Sequence, residues 1–404
     1  MNSVKIQSER VKSIQSSSSL TISAIAKEMV ARGEPVIDLS IGEPDFNTPA
    51  HIVEAAYQAM LAGQTRYTAP AGTEALRQAV ADKFRRENDL AYSAQQISIG
   101  NGAKQLLFNA FAATLEQGDE VIIPAPYWVS YADIVRLNGG VPVVINCPEQ
   151  QGFKLTPQQL QAAFTERTRW VMFNSPCNPT GMIYTREEFA ALGEVLLRHP
   201  DVLILSDEIY EHIALGNTPF VSFVQACPAL KERTMVLNGV SKAYAMTGWR
   251  LGYAAGPQEL IMALNKLQSQ STGCPSAISQ AAALAALQGP QDFVREATAE
   301  YRARGELVVR ALQSISGLTL AVPDGAFYAF PNCAAYLGKR TPQGQLISTD
   351  TELVRYLLEE GKVATVPGSA FGIDGYIRLS FATSRANLEV ALGRIRDTLA
   401  SLSQ

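Results

Sequence analysis

Ser241-Lys242-Ala243-Tyr244-Ala245-Met246-Thr247-Gly248-Trp249-Arg250 sets one lysine in a short segment of small and aromatic residues, with a hydroxyl beside it and an arginine at the far end. Apolar, strand-like runs flank it, Thr234-Met235-Val236-Leu237 before and Leu251-Gly252-Tyr253-Ala254-Ala255-Gly256 after. A lysine held between two core strands is desolvated, which lowers the pKa of its amine and makes it a nucleophile toward carbonyls. Ser241 and Arg250 are residue types that hold a dianionic phosphate. Lysine and phosphate anchor together point to a Schiff base with pyridoxal 5'-phosphate (PLP). A solvated turn between strands would give the same local pattern, so the rest of the chain has to decide.

Outward from this segment, the chain from about residue 95 repeats strand, loop and helix. Ile97-Ser98-Ile99 precedes Gly100-Asn101-Gly102-Ala103 and a helical stretch from Lys104 to Leu115. Glu120-Val121-Ile122-Ile123, Pro142-Val143-Val144-Ile145, Trp170-Val171-Met172-Phe173 and Val202-Leu203-Ile204-Leu205 follow as further strands. Helices are expected near Val129–Leu137 and Thr156–Thr165, and Thr185-Arg186-Glu187-Glu188 opens another as a capping box. Runs of consecutive apolar residues mark strands buried on both faces, as in a parallel α/β sheet. The expected fold is α/β, doubly wound, with ligands at the carboxyl ends of the strands.

After Gly289-Pro290 the texture changes. A long helix rich in Arg and Glu runs to about Leu312, and shorter strands are expected at Leu318–Ala321, Ala326–Phe330 and Tyr376–Phe381. These imply a smaller α+β domain, built from residues 298–404 with 1–47, beside a large domain at 48–297.

Four buried-strand runs end in polar groups. Phe173 leads into Asn174-Ser175-Pro176-Cys177-Asn178-Pro179-Thr180-Gly181, and Leu205 into Ser206-Asp207-Glu208-Ile209-Tyr210. Leu237 leads into Ser241-Lys242, and Ile99 into Gly102-Ala103-Lys104. In a parallel sheet such ends converge on one edge. Each alone reads equally well as a turn or a helix cap; their joint occurrence with the lysine singles out one site. Gly102, Ala103 and Lys104 begin a helix whose free N–H groups can bind phosphate. Asp207 is placed to keep a pyridine nitrogen protonated. Tyr210 and Asn178 can donate to a phenolic oxygen, and Trp128 can stack on a ring face. Arg378 lies on an apolar strand and suits fork-like binding of a carboxylate, with an exposed edge-strand charge as the plainer alternative.

Composition narrows the remaining classes. The chain has 404 residues, 47% of them hydrophobic, enough for a large interior and more than one domain. A net charge of −4 with no long basic run argues against nucleic acid or an anionic membrane as partner. Five dispersed cysteines and three histidines show no metal-ligand spacing and fit a reducing compartment. The polar, serine-rich N-terminus lacks the apolar core of a signal peptide, so a soluble, cytoplasmic protein is expected.

With these motifs in place, the chain closely resembles the fold type I PLP enzymes, specifically class I aminotransferases of the bacterial aspartate aminotransferase subgroup. Gly42-Glu43-Pro44-Asp45-Phe46, Arg66-Tyr67-Thr68-Ala69-Pro70-Ala71-Gly72 and Pro126-Tyr127-Trp128-Val129-Ser130-Tyr131 carry the resemblance with the strand-end motifs above and Arg378-Leu379-Ser380. The resemblance implies that Lys242 anchors PLP and shuttles the proton, that Asp207 pairs with the pyridinium, and that Asn178 and Tyr210 bind the phenolic oxygen. Ser241, Arg250 and Gly102–Lys104 would hold the phosphate, and Tyr67 would reach the phosphate of a neighbouring subunit in a homodimer. Arg378, Asn178, Trp128 and the Gly42 backbone would hold the amino acid. Lys104, helped by a hydroxyl from Ser17, Ser19 or Thr21, would meet a distal carboxylate. Cys177 stands where asparagine is often found, one residue before Asn178.

The implied reaction is transamination between L-aspartate and 2-oxoglutarate, with an aromatic amino acid, alanine or prephenate as alternative partners. A non-catalytic regulator on the same fold is disfavoured by Lys242 and Asp207 and by the absence of a DNA-binding segment ahead of the pattern. A nicotinamide oxidoreductase lacks its G-x-G-x-x-G after an early strand.

Overall fold

The computed structural model describes residues 6–14 and 18–403, with the side chains of Ser18 and Ser19 outside that description. Its centre is a seven-stranded sheet in the order Ile97–Gly100, Gly252–Ala255, Thr234–Gly239, Leu203–Asp207, Thr168–Asn174, Glu120–Ala125, Val141–Asn146. All pairings are parallel except those of Gly252–Ala255, which runs antiparallel to both neighbours. The segment between Thr234–Gly239 and this strand holds only the short 3-10 turn Thr247–Trp249. A parallel return is usually made through a helix, which this connection lacks, so the chain comes back antiparallel.

The apolar runs are buried on both faces because helices cover both. Val121, Ile123, Met172, Leu205 and Met235 pack with Leu107, Phe111, Leu260 and Leu264 from the helices Ala103–Thr114 and Gln258–Ser271. Ile122, Val171, Phe173 and Ile204, one residue out of phase, pack with Phe189 and Leu192 of the helix Arg186–Leu196. This alternation is the period-2 geometry of a strand, with each fully buried aliphatic or aromatic side chain contributing about 1.5–3 kcal/mol. The expected capping box is present: Thr185 Oγ1 accepts from the Glu188 amide, and the Glu188 carboxylate accepts from the Thr185 amide.

The C-terminal region begins with the helix Asp292–Gln313 and contains a three-stranded antiparallel sheet, Val366–Pro367, Ile377–Ser380 and Tyr328–Ala329. The N-terminal segment joins it, since Ile37–Asp38 pairs in parallel with Val363–Ala364 and Leu39 shares a core with Tyr301, Phe327, Leu357 and Ile395. The strand expected at Leu318–Ala321 does not form. Only the single bridge Thr319–Asn332 is made; Val322 is exposed and Pro323 has no N–H with which to continue a ladder. The stretch 326–330 narrows to Tyr328–Ala329 for a related reason: Pro331 separates this pairing from the lone bridge Asn332–Tyr376. Among the described residues, no helix is long and apolar enough to cross a membrane.

Candidate active site

The carboxyl ends of four strands meet at a cavity of about 380 Å³. Gly42, Ala103, Lys104, Trp128, Asn178, Asp207, Tyr210, Ser241, Lys242, Arg250 and Arg378 all line it. The sequence motifs, separated by up to several hundred residues, therefore converge in one space.

Asp207 is the last residue of its strand and only 5% exposed. Tyr131 Oη donates to its Oδ2 at 2.6 Å, and the Ile209 amide donates to its Oδ1 at 3.2 Å. Burial raises its pKa to about 6, opposed by these two hydrogen bonds and by the positive field of Lys242. Lys242 follows the end of the strand Thr234–Gly239 and donates to the Gly42 carbonyl at 2.6 Å. Burial lowers its pKa to about 8; Arg378 and Arg250 push the same way, while Glu43 and Asp207 oppose them. At pH 7 roughly a tenth of such an amine is neutral, against about one part in 2,500 for an ordinary lysine. The side chain is thus a usable nucleophile and base.

An anion cradle lies beside it. Gly102 has φ +85° and precedes the helix Ala103–Thr114, whose first-turn amides have no intrahelical partner. A Cβ at Gly102 would lie 2.5 Å from Arg250 Nη2, and one at Gly252 would lie 2.3 Å from the Ala103 amide nitrogen. Only glycines let the guanidinium and the helix start close on the same spot. Arg250 itself has φ +53°, a left-handed conformation that a non-glycine residue holds at a cost of about 1–2 kcal/mol. This donor set fits a phosphate dianion.

On the opposite side, Arg378 occupies the central strand of the C-terminal sheet and is 3% exposed, so it is not an edge-strand charge. Its Nη1 donates to Asn178 Oδ1 at 2.9 Å and its Nη2 to the Ser40 carbonyl, while the buried Nε has no partner. A buried cation with a spare donor at a cavity wall fits a carboxylate. Asn178 is fixed in turn by Asn174, whose Oδ1 accepts from the Asn178 amide at 2.8 Å. Lys104 Nζ lies 4.6 Å above the Trp128 ring, and burial followed by the field of Arg250 lowers its pKa.

Tyr67 is not part of this cavity. It is 97% exposed and borders a separate surface hollow. Of the three hydroxyls considered for a distal carboxylate, Ser17 and the Ser19 side chain lie outside the described residues. Thr21 lies on the helix Ser18–Ala31, whose Leu20 reaches the cavity.

Tyr131, Asn174 and Tyr328 are among the lining residues that were not singled out from sequence. Tyr131 carried a usable signal, because its i, i+3 spacing from Trp128 puts both on one side of a helix start. Their rings pack edge to face at 5.4 Å. Tyr328 carried none, lying within five consecutive apolar and aromatic residues that read as core.

Residues 34–395 match the family model described as aminotransferase class I and II. The chain belongs to this family. An aspartate aminotransferase of Rhizobium meliloti (strain 1021) is 55% identical to it, over 96% of this chain and 94% of the relative. An aspartate/prephenate aminotransferase of Cereibacter sphaeroides is 49% identical, over 98% of this chain and 99% of the relative. A crystal structure of the aspartate aminotransferase from Rhizobium meliloti superposes with a TM-score of 0.95 at 53% identity, covering 98% of this aminotransferase and 99% of that chain.

Proposed function

We propose that this aminotransferase exchanges amino groups between L-aspartate and 2-oxoglutarate, with PLP held at Lys242. The observation that carries this reading is the convergence of Lys242, Asp207, Arg250 and Arg378, four charged groups from three separate segments, on one cavity. PLP bound there would supply an electron sink for charge developing at the α carbon of the amino acid.

The chain's own residues account for the rest. Lys242 Nζ would move the proton between the substrate's α carbon and C4' of the bound cofactor, a task suited to an amine with a pKa of about 8. Asp207, kept ionised by Tyr131, holds a proton on the pyridine nitrogen. Tyr210 Oη and Asn178 Nδ2 donate to the phenolic oxygen. Ser241, Arg250 and the amides of Gly102 to Lys104 hold the phosphate. Arg378 grips the α-carboxylate, with Asn178, Trp128 and the Gly42 backbone around it, and Lys104 meets the distal carboxylate. Tyr67 completes the phosphate site of a second copy in a homodimer, which accounts for its full exposure. The large domain is 48–297, the small one 1–47 with 298–404, and the protein works in the cytoplasm.

The name of the Rhizobium meliloti relative supports aspartate as donor. The name of the Cereibacter sphaeroides relative supports a second reading, in which prephenate is also an acceptor. The test is a panel of amino donors and oxo acids read from the visible absorbance of the bound cofactor. Aspartate should lead, and Lys242→Ala should lose both the band and turnover. Alanine or phenylalanine far ahead of aspartate would overturn the assigned donor, and full activity in Lys242→Ala would overturn the mechanism.

A further inference from the structure

We propose that Tyr328 is a positioning residue with two separable parts: its hydroxyl aims the Tyr210 proton into the cavity, and its ring seats the Arg378 guanidinium. Tyr328 is fully buried on the strand Tyr328–Ala329. Its Oη lies 2.6 Å from Tyr210 Oη, and the two rings meet edge to face at 5.7 Å. Its partner across the sheet is Ser380, so Arg378, two residues along, falls on the same face as a diagonal neighbour. The guanidinium carbon stands 4.5 Å above the Tyr328 ring. One side chain thus joins the strand end bearing Asp207 and Tyr210 to the strand bearing Arg378.

The position is also tightly walled. A Cβ at Gly42 would lie 2.3 Å from Tyr328 Oη, so Gly42 is the residue that admits the hydroxyl here. The carbonyl of the same Gly42 accepts from Lys242. The hydroxyl therefore has little freedom to turn.

Between two phenols only one proton lies on the shared axis, and the more acidic phenol donates it. A cation over a ring favours the phenolate, and among charged groups Arg378 acts first on Tyr328. Tyr210 also feels the field of Arg378 and has Lys242 Nζ over its ring at 5.8 Å, against which burial, Tyr328 and the Asp207 carboxylate oppose its ionisation. The nearer cation, Arg378 at 4.5 Å, stands over Tyr328 and makes it the more acidic phenol, so we take Tyr328 as the donor, which leaves the Tyr210 proton for the cavity. This part rests on the proposed function, in which Tyr210 donates to the phenolic oxygen of PLP. The ring part does not: the guanidinium lies against two buried rings, Phe371 at 5.0 Å and Tyr328 nearer at 4.5 Å, and the nearer, more electron-rich face fixes the plane of the fork offered to a carboxylate.

Two variants of the intact protein separate the parts. Tyr328→Phe keeps the ring and removes the hydroxyl. The pH midpoint of the bound cofactor's absorbance change should rise by about half to one unit, as loss of one hydrogen bond implies. Its affinity for a dicarboxylate such as succinate should stay within about twofold. Tyr328→Met keeps bulk but removes both parts, and succinate should then bind about tenfold more weakly, with the midpoint shifted as in the Phe variant. Thermal unfolding of both variants reports whether the fold is intact. An unchanged midpoint in Tyr328→Phe overturns the role of the hydroxyl. Wild-type succinate binding in Tyr328→Met overturns the role of the ring. A wild-type protein that gives no cofactor band at all overturns the proposed function, and with it the hydroxyl's role alone.

Discussion

Tyr131 Oη and Asp207 Oδ2 lie 2.6 Å apart in the interior, with Tyr131 as donor. Without this bond and that of the Ile209 amide, burial alone would drive Asp207 further toward its neutral form. The carboxylate is kept charged at a site where an apolar residue would be more stable, a recurrent conflict between function and stability. The sign of its pH dependence follows. Its folded pKa of about 6 lies above the unfolded value of about 3.9. Below pH 4 both states are protonated and there is no penalty; above pH 6 the folded state carries a penalty of up to about 3 kcal/mol. Asp207→Asn should therefore stabilise the cofactor-free protein at pH 7, with the gain fading between pH 6 and pH 4, while turnover collapses. Urea midpoints at pH 4 and pH 7 check this, and equal gains at both would contradict it. Tyr131→Phe should move Asp207 the other way, to a still higher pKa.

Gly102 and Arg250 make a second prediction. At φ +85° an alanine would cost about 1–2 kcal/mol, and its Cβ would displace the guanidinium it meets at 2.5 Å. Gly102→Ala should weaken both inorganic phosphate and PLP by at least about tenfold, since one charge-assisted hydrogen bond is worth about 1.5–3 kcal/mol. Isothermal titration with phosphate measures it. Unchanged phosphate affinity would show that the cradle lies elsewhere.

How much of this was legible beforehand depended on contrast. Asp207, Lys242 and Arg378 stand out because each interrupts an apolar run, and a charge in a buried strand needs a reason. Tyr328 and Tyr131 do not, because a tyrosine in such a run is ordinary core and its hydroxyl partner is remote in sequence. The parallel strands could be read from their consecutive apolar residues. The reversed strand Gly252–Ala255 could not, since apolar runs carry no direction, and only the lack of a helix in the preceding connection hinted at it. The short C-terminal strands were overdrawn for a different reason: Pro323 and Pro331 remove ladder donors that the apolar pattern takes for granted.

Behind the cavity, Lys83 is fully buried against Glu211, which also accepts from Asn238 at 2.8 Å and Asn88 at 2.9 Å. Asn238 Oδ1 in turn accepts from the Gly239 amide at 2.7 Å, so the cluster ties the helix Glu74–Asn88 to two of the strand ends that form the site. Removing one member leaves a buried carboxylate short of its counter-charge. Lys83→Met should cost about 3–5 kcal/mol, whereas Lys83→Met with Glu211→Gln should regain most of that, because both charges go together. Chemical unfolding of the three proteins gives the cycle. A double variant no more stable than Lys83→Met would mean that the network, rather than the charge balance, carries the stability.

The last prediction concerns what the cavity selects. Lys104 lines the cavity wall 4.6 Å above Trp128, and burial with the field of Arg250 makes its charge costly to keep. A cation held under those conditions gains most when a substrate brings a carboxylate to it. A dicarboxylic donor supplies that group; alanine does not. Lys104→Ala should therefore lower kcat/KM for L-aspartate by about 10- to 150-fold, the equivalent of a charged hydrogen bond worth about 1.5–3 kcal/mol. The same change should leave L-alanine within about threefold, because the proposed function gives the α-carboxylate to Arg378 and not to Lys104. Steady-state kinetics with both donors measure the ratio. An equal loss for both would mean that Lys104 serves the phosphate or the fold, and that the distal carboxylate is bound by another group.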